Sequence, residues 1–161
     1  MKMKLIMIIA IVLMLVLSFA VVFNQRQNDD IFMELVLWTD GGGVRGASAY
    51  TFVIENNGTM ISSYGRSRSD SLDELRTHNF IRSIRERRTT TLSEGEFRYI
   101  SELVDIVVML ERNPDIQMTE VNSQAVITLL YDGDVFRRMH TGEAFDLLNE
   151  VVRLSPLTIY W

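Results

Sequence analysis

Apolar residues are concentrated at the start of the chain. Residues 5–23 read LIMIIAIVLMLVLSFAVVF, in which Ser18 is the only polar residue. As a helix, this run spans about 28 Å, close to the hydrocarbon thickness of a bilayer. Lys2 and Lys4 precede it, so the positive-inside rule places the N-terminus in the cytoplasm and the rest of the chain outside. The pattern predicts a transmembrane signal anchor in residues 1–23 of a cell-membrane protein, which contacts the lipid bilayer through residues 5–23.

A cleaved signal peptide is the alternative to an anchor. Ser18, Phe19 and Ala20 fit the small-x-small pattern of a cleavage site, and cleavage after Ala20 would give a secreted protein. Residues 21–23 keep the run apolar past that point, which favours the anchor. A polar linker, residues 24–30, then leads to an extracytoplasmic domain of residues 31–161.

The first part of this domain has the pattern of strands. Residues 31–38 are an apolar run of strand length that ends at a glycine-rich segment. Residues 48–55 alternate between two faces and reach Asn57-Gly58, a dipeptide that supplies the positive φ angles of a tight hairpin. Residues 59–64 are therefore expected to return antiparallel.

Residues 80–91 are rich in arginine and β-branched residues, which predicts a further strand. In a regular strand, Phe80, Arg82, Ile84 and Glu86 share one face.

A helix is predicted after this strand, because Ser93 and Glu96 form a capping box and apolar residues follow at helical spacing as far as Pro114. A second hairpin follows, with Asp132-Gly133 as its turn. Thr141 then caps a second helix with one apolar stripe.

This order of elements predicts an α+β domain. We expect two layers, with five to six strands in an antiparallel sheet that two helices cover on one side.

Charge and cysteine content narrow the possible functions. Residues 24–161 carry 14 arginines and 21 acidic residues, a net charge of −7. Nucleic-acid binding requires a basic footprint, so we expect no nucleic-acid partner. The absence of cysteine excludes disulfides, thiol nucleophiles and zinc–thiolate sites, and no motif predicts a cofactor.

The arginines are unevenly distributed. Residues 64–88 contain seven arginines and four acidic residues, a local net charge of +3. Charges on an edge strand discourage edge-to-edge aggregation. They also attract anionic head groups or cell-wall polymers. On the second interpretation, the contact residues are Arg82, Arg85, Arg87 and Arg88.

The glycine-rich segment, residues 41–46, resembles a phosphate-binding loop only in composition. It leads into a strand and lacks the Lys and Ser/Thr of a phosphate-binding loop. We interpret it as a hairpin loop, and Gly42, Gly43 and Arg45 are its candidate partner contacts.

Catalytic and metal-binding motifs are not found. His78 and His140 match no metal or triad spacing, although a hydrolase using His140 with Asp132 or Asp134 stays an alternative. These two carboxylates fall short of the ligands that calcium requires. Asn57 begins a glycosylation sequon, but the hairpin turn already explains it.

The anchored leader, the absence of cysteine and the small α+β domain resemble small extracytoplasmic proteins of Gram-positive bacteria without assigned function. The order of elements from Met33 to Leu154, with the Gly-Gly turn at residues 40–43, also resembles the emfourin-type inhibitors of thermolysin-like proteases. This chain departs from them by its anchor and by residues 57–91.

These observations together predict a single-pass membrane protein whose outer domain binds a protein or cell-envelope partner without catalysis. The alternatives are an inhibitor of a secreted protease, implied by the second resemblance, and the hydrolase.

Overall fold

A computed structural model describes residues 30–39, 47–67, 80–113, 125–139 and 141–159. These residues form six strands and two helices. The strands are β1 (Ile31–Thr39), β2 (Ser48–Glu55), β3 (Thr59–Ser67), β4 (Ile81–Thr91), β5 (Ala125–Tyr131) and β6 (Asp134–Met139), and the helices are α1 (Glu94–Glu111) and α2 (Gly142–Leu154). The strands form one antiparallel sheet in the order β4-β3-β2-β1-β5-β6, which confirms the predicted α+β class.

One face of the sheet and both helices share the main hydrophobic core. Alternate residues of the strands point into it, including Leu35, Phe52, Met60 and Leu129. Ile100, Val104 and Val107 from α1 and Leu147, Leu148 and Val151 from α2 pack in the same cluster, and all are buried. Full burial of one such side chain stabilises the fold by about 1.5–3 kcal/mol.

The opposite face of the sheet is also buried in part, so the prediction of a single covered face is wrong. A second cluster contains Val36, Trp38, Ala47, Ala49, Phe80, Ile81 and Leu130, each at most 9% exposed. The consecutive apolar residues 35–38 of β1 explain this, because a strand buried on both faces needs apolar residues at neighbouring positions.

The second predicted hairpin turn is confirmed in detail. Asp132 and Gly133 both have positive φ angles, of 51° and 79°, as a two-residue type I′ turn requires.

The first hairpin is looser than predicted. Three residues join β2 to β3, the Gly58 N–H donates to the Glu55 carbonyl, and only Gly58 has a positive φ angle, of 81°. The Asn57 side chain instead accepts a hydrogen bond from the Thr59 N–H at 2.7 Å.

Both predicted helix caps are present. Ser93 and Glu96 form the reciprocal capping box of α1, and the Thr141 side chain accepts from the Ala144 N–H. These caps satisfy backbone donors that have no partner within the helix.

The predicted anchor, residues 1–23, and most of the linker lie outside the described residues. Within the described ranges, neither helix is long and apolar enough to cross a membrane.

Candidate anionic-ligand surface

The four arginines predicted as contacts, Arg82, Arg85, Arg87 and Arg88, all lie on β4. This strand is at one end of the strand order and pairs on one side with β3. Residues 82–89 are all exposed. The fold therefore displays the arginines along an open edge of the sheet.

The pairing of β4 with β3 is irregular at two of these arginines. The register passes from Glu86 opposite Tyr64 to Ile84 opposite Gly65, and so skips Arg85; a second shift skips Arg82. Residues that follow each other on β3 point to opposite faces, so Ile84 and Glu86 lie on opposite faces. The prediction that they share a face is wrong, because the register shift reverses the alternation.

Gly65 allows β4 to lie close to β3 at the first shift. A Cβ atom at this position would lie 2.2 Å from the Ser83 carbonyl oxygen and 2.6 Å from Cγ2 of Ile81. Contacts this short are prohibited for a real side chain, so the local shape of the β4 edge depends on glycine here.

Arg88 differs from the other three arginines of β4 because it has an acidic partner. Its guanidinium lies 3.1 Å from Oε1 of Glu86, which is on the same face two residues earlier. Within the described part of the chain, Arg82, Arg85 and Arg87 form no ion pair. These three guanidiniums are therefore available to an external anion.

Arg66 adds a fifth arginine to this surface. It is exposed and lies opposite Ser83 of β4, because β3 continues three residues past its predicted end at residue 64. Its position in the arginine-rich segment was visible in the sequence, but the pairing that brings it beside β4 was not. We name Arg66, Arg82, Arg85, Arg87 and Arg88 the arginine edge.

The two helices carry a net negative charge, opposite to that of the arginine edge. α1 has five acidic residues and one arginine, and α2 has three acidic residues and one arginine. Hydrogen bonds from the backbone and side chain of Ser93 hold the pKa of Glu96 below its usual value. The ion pair with Arg153 likewise lowers the pKa of Glu150. Glu96 and Glu150 are therefore ionised around neutral pH.

The two aspartates proposed for the hydrolase have structural roles in the described residues. Asp132 forms the hairpin turn, and the Asp134 carboxylate forms an ion pair with Arg112. Tyr131 donates to Asp105 at 3.4 Å, and burial with the nearby Asp105 charge raises the pKa of Tyr131. Sequence spacing gives no signal for Arg112 as a partner 22 residues away.

The remaining candidates are outside the described ranges: Gly42, Gly43, Arg45, His78 and His140. Among the described residues, no three His, Asp or Glu side chains form a group that could hold a metal ion. The arginine edge is therefore the candidate site that the described residues define.

Comparison with known proteins does not assign the chain to a family: no protein-family model matches it, and no curated protein sequence matches it. The resemblance to emfourin-type inhibitors stays a prediction.

Proposed function

We propose that the protein is a single-pass membrane protein whose extracytoplasmic domain binds a negatively charged partner through the arginine edge, without catalysis. Lipid head groups, cell-envelope polymers and acidic proteins all share the required charge.

The observation that carries this proposal is the set of three exposed arginines of β4 that have no ion-pair partner among the described residues. The domain around them is acidic, so the edge is a local exception to its charge. A positive strip of this kind concentrates anions and speeds their association at low salt.

Location is tested first by the mass of the mature chain. We expect the membrane fraction of the producing cells to contain a chain that begins at Met1. A chain that begins at Val21 in the medium would contradict the anchor and support a diffusible binding protein or protease inhibitor.

Anion binding is tested with the full chain in non-ionic detergent micelles and with soluble polyphosphate as a probe of charge alone. We compare the wild type with the triple variant R82Q/R85Q/R87Q at low and high salt. Each basic residue contributes about 1 kcal/mol near an anionic surface, so the variant is expected to bind about 100-fold more weakly at low salt.

The matched control is R98Q/R112Q/R153Q, which removes the same amount of charge elsewhere on the domain. Arg98 lies in α1, Arg112 directly follows α1 and Arg153 lies in α2, and all three are exposed. It is expected to retain most of the affinity. Equal losses in both variants would show that net charge, not the arginine edge, controls binding. Absence of salt-dependent binding by the wild type would contradict the proposal.

A further inference from the structure

We propose that the partner of the arginine edge is an extended acidic segment of a protein, which pairs with β4 as a seventh strand. This inference rests on the proposed function and specifies its ligand. Its basis is the backbone of β4 together with its charge.

The C-terminal half of β4 is regular enough to accept another strand. Residues 86–91 pair with β3 without a register shift, whereas both shifts fall in the N-terminal half of β4. In an antiparallel ladder, every second residue of an edge strand turns its N–H and C=O groups outward. A regular edge of six residues therefore offers a repeated set of backbone hydrogen bonds to an added strand.

The other edge of the sheet is less suitable. β6 has six residues, and its regular pairing with β5 covers only residues 134–137 before a register shift. Asp134 at its start is held in the ion pair with Arg112. Of the two edges, β4 therefore offers the longer regular stretch of backbone, and it also carries the three unpaired arginines.

The side chains of β4 indicate which residues the added strand would carry. Arg87 lies opposite Ser63 and is unpaired, while Glu86 and Arg88 on the other face pair with each other. Side chains of adjacent strands lie about 4.5–5.5 Å apart when directly opposite. An acidic residue opposite Arg87 would form an ion pair, whereas one beside Glu86 would be repelled.

The charge of the edge also disfavours a second copy of β4 as the occupant. β4 carries four arginines and one glutamate, so a second copy would place another strand of the same net positive charge beside it, and this repulsion disfavours the pair. An acidic segment has the complementary charge and gains the backbone hydrogen bonds in addition.

The test separates backbone pairing from charge. The full chain in non-ionic micelles is titrated with a peptide of about ten residues that alternates glutamate and valine. It is also titrated with the same peptide methylated on every backbone amide, and with polyphosphate. The methylated peptide keeps its charge but has no N–H donors.

We expect the unmodified peptide to bind at least about tenfold more tightly than the methylated one, because several ladder hydrogen bonds are lost on methylation. We also expect slower hydrogen exchange of the backbone amides in residues 86–91 on binding. R82Q/R85Q/R87Q is expected to weaken binding of the peptide, and R98Q/R112Q/R153Q to leave it nearly unchanged.

Equal affinity for the two peptides would overturn strand addition and leave anion binding in place. Binding of polyphosphate without either peptide would also overturn it and favour a lipid or polymer ligand. If the wild type binds neither peptide and does not bind polyphosphate, the proposed function itself is overturned.

Discussion

β4 and α1 follow each other directly in the chain, yet they have opposite charge and opposite burial. β4 carries four arginines and one glutamate, and residues 82–89 are exposed. α1 carries five acidic residues and buries four aliphatic side chains, Ile100, Val104, Val107 and Val108. The helix is therefore held by the core, whereas β4 is held mainly by backbone pairing with β3. Substitutions of the buried residues of α1 should change stability, and those of the exposed residues of β4 should change the surface.

The largest expected difference in stability is between the alanine variants of two isoleucines, one in α1 and one in β4. Ile100 is fully buried, and Ile100→Ala is expected to cost about 2–5 kcal/mol of unfolding free energy, since it removes packed atoms and leaves a cavity. Ile84 is 53% exposed, so Ile84→Ala should change stability by less than about 0.5 kcal/mol. Denaturant unfolding of both variants measures this. Equal losses would contradict the assigned difference in burial.

A smaller difference in stability is expected between the alanine variants of two glycines, Gly65 beside β4 and Gly95 in α1. Gly65→Ala places a Cβ against the Ser83 carbonyl and should cost about 1–3 kcal/mol, because β4 must move away. Hydrogen exchange should become faster in residues 81–85. Gly95→Ala is the control, because its Cβ would meet nothing within 4 Å in α1; it should be neutral or stabilise the helix by up to about 1 kcal/mol. A silent Gly65→Ala would show that β4 does not need this close approach.

The sequence could predict features that depend on neighbouring residues, but not those that depend on pairing between strands. The capping box, the alternation in β2 and the Asp132-Gly133 turn are local patterns, and all were predicted correctly. The register shifts at Arg82 and Arg85 depend on the partner strand and on Gly65, so a pattern of period two gave the wrong faces. The second buried face had a signal in the consecutive apolar residues 35–38 of β1, and the prediction did not use it.

The candidate site was predictable in composition and not in geometry. Sequence placed Arg82, Arg85, Arg87 and Arg88 together, and the strand order puts them at an edge. It did not reveal that Glu86 neutralises Arg88 or that Arg66 lies beside them, since both depend on which side chains share a face.

Loss of the capping box at the start of α1 is expected to lower the free energy of unfolding by about 1 kcal/mol. Ser93→Ala should destabilise the fold by this amount, because the side chain caps the N-terminus of α1. The pKa of Glu96 is lower in the folded state than its ordinary value of 4.5. Its stabilising contribution is therefore present above that value and is lost as the pH falls through the folded pKa.

Unfolding measured between about pH 5 and about pH 3 checks this. The wild type should lose more stability over this range than Glu96→Gln, which has no carboxylate to protonate. Identical pH profiles would contradict the role of the ionised Glu96 in the cap.

Glu86→Gln is expected to change stability little and to strengthen anion binding. The exposed pair with Arg88 contributes at most about 1 kcal/mol to folding. Its loss adds one uncompensated charge to the arginine edge, so polyphosphate should bind about fivefold more tightly at low salt. Glu102→Gln makes the same change of net charge on the exposed side of α1, and screening should limit its effect to about twofold or less. Because the two variants share net charge, a larger gain with Glu86→Gln can arise only from its position beside Arg88, whereas equal gains would contradict a local binding edge.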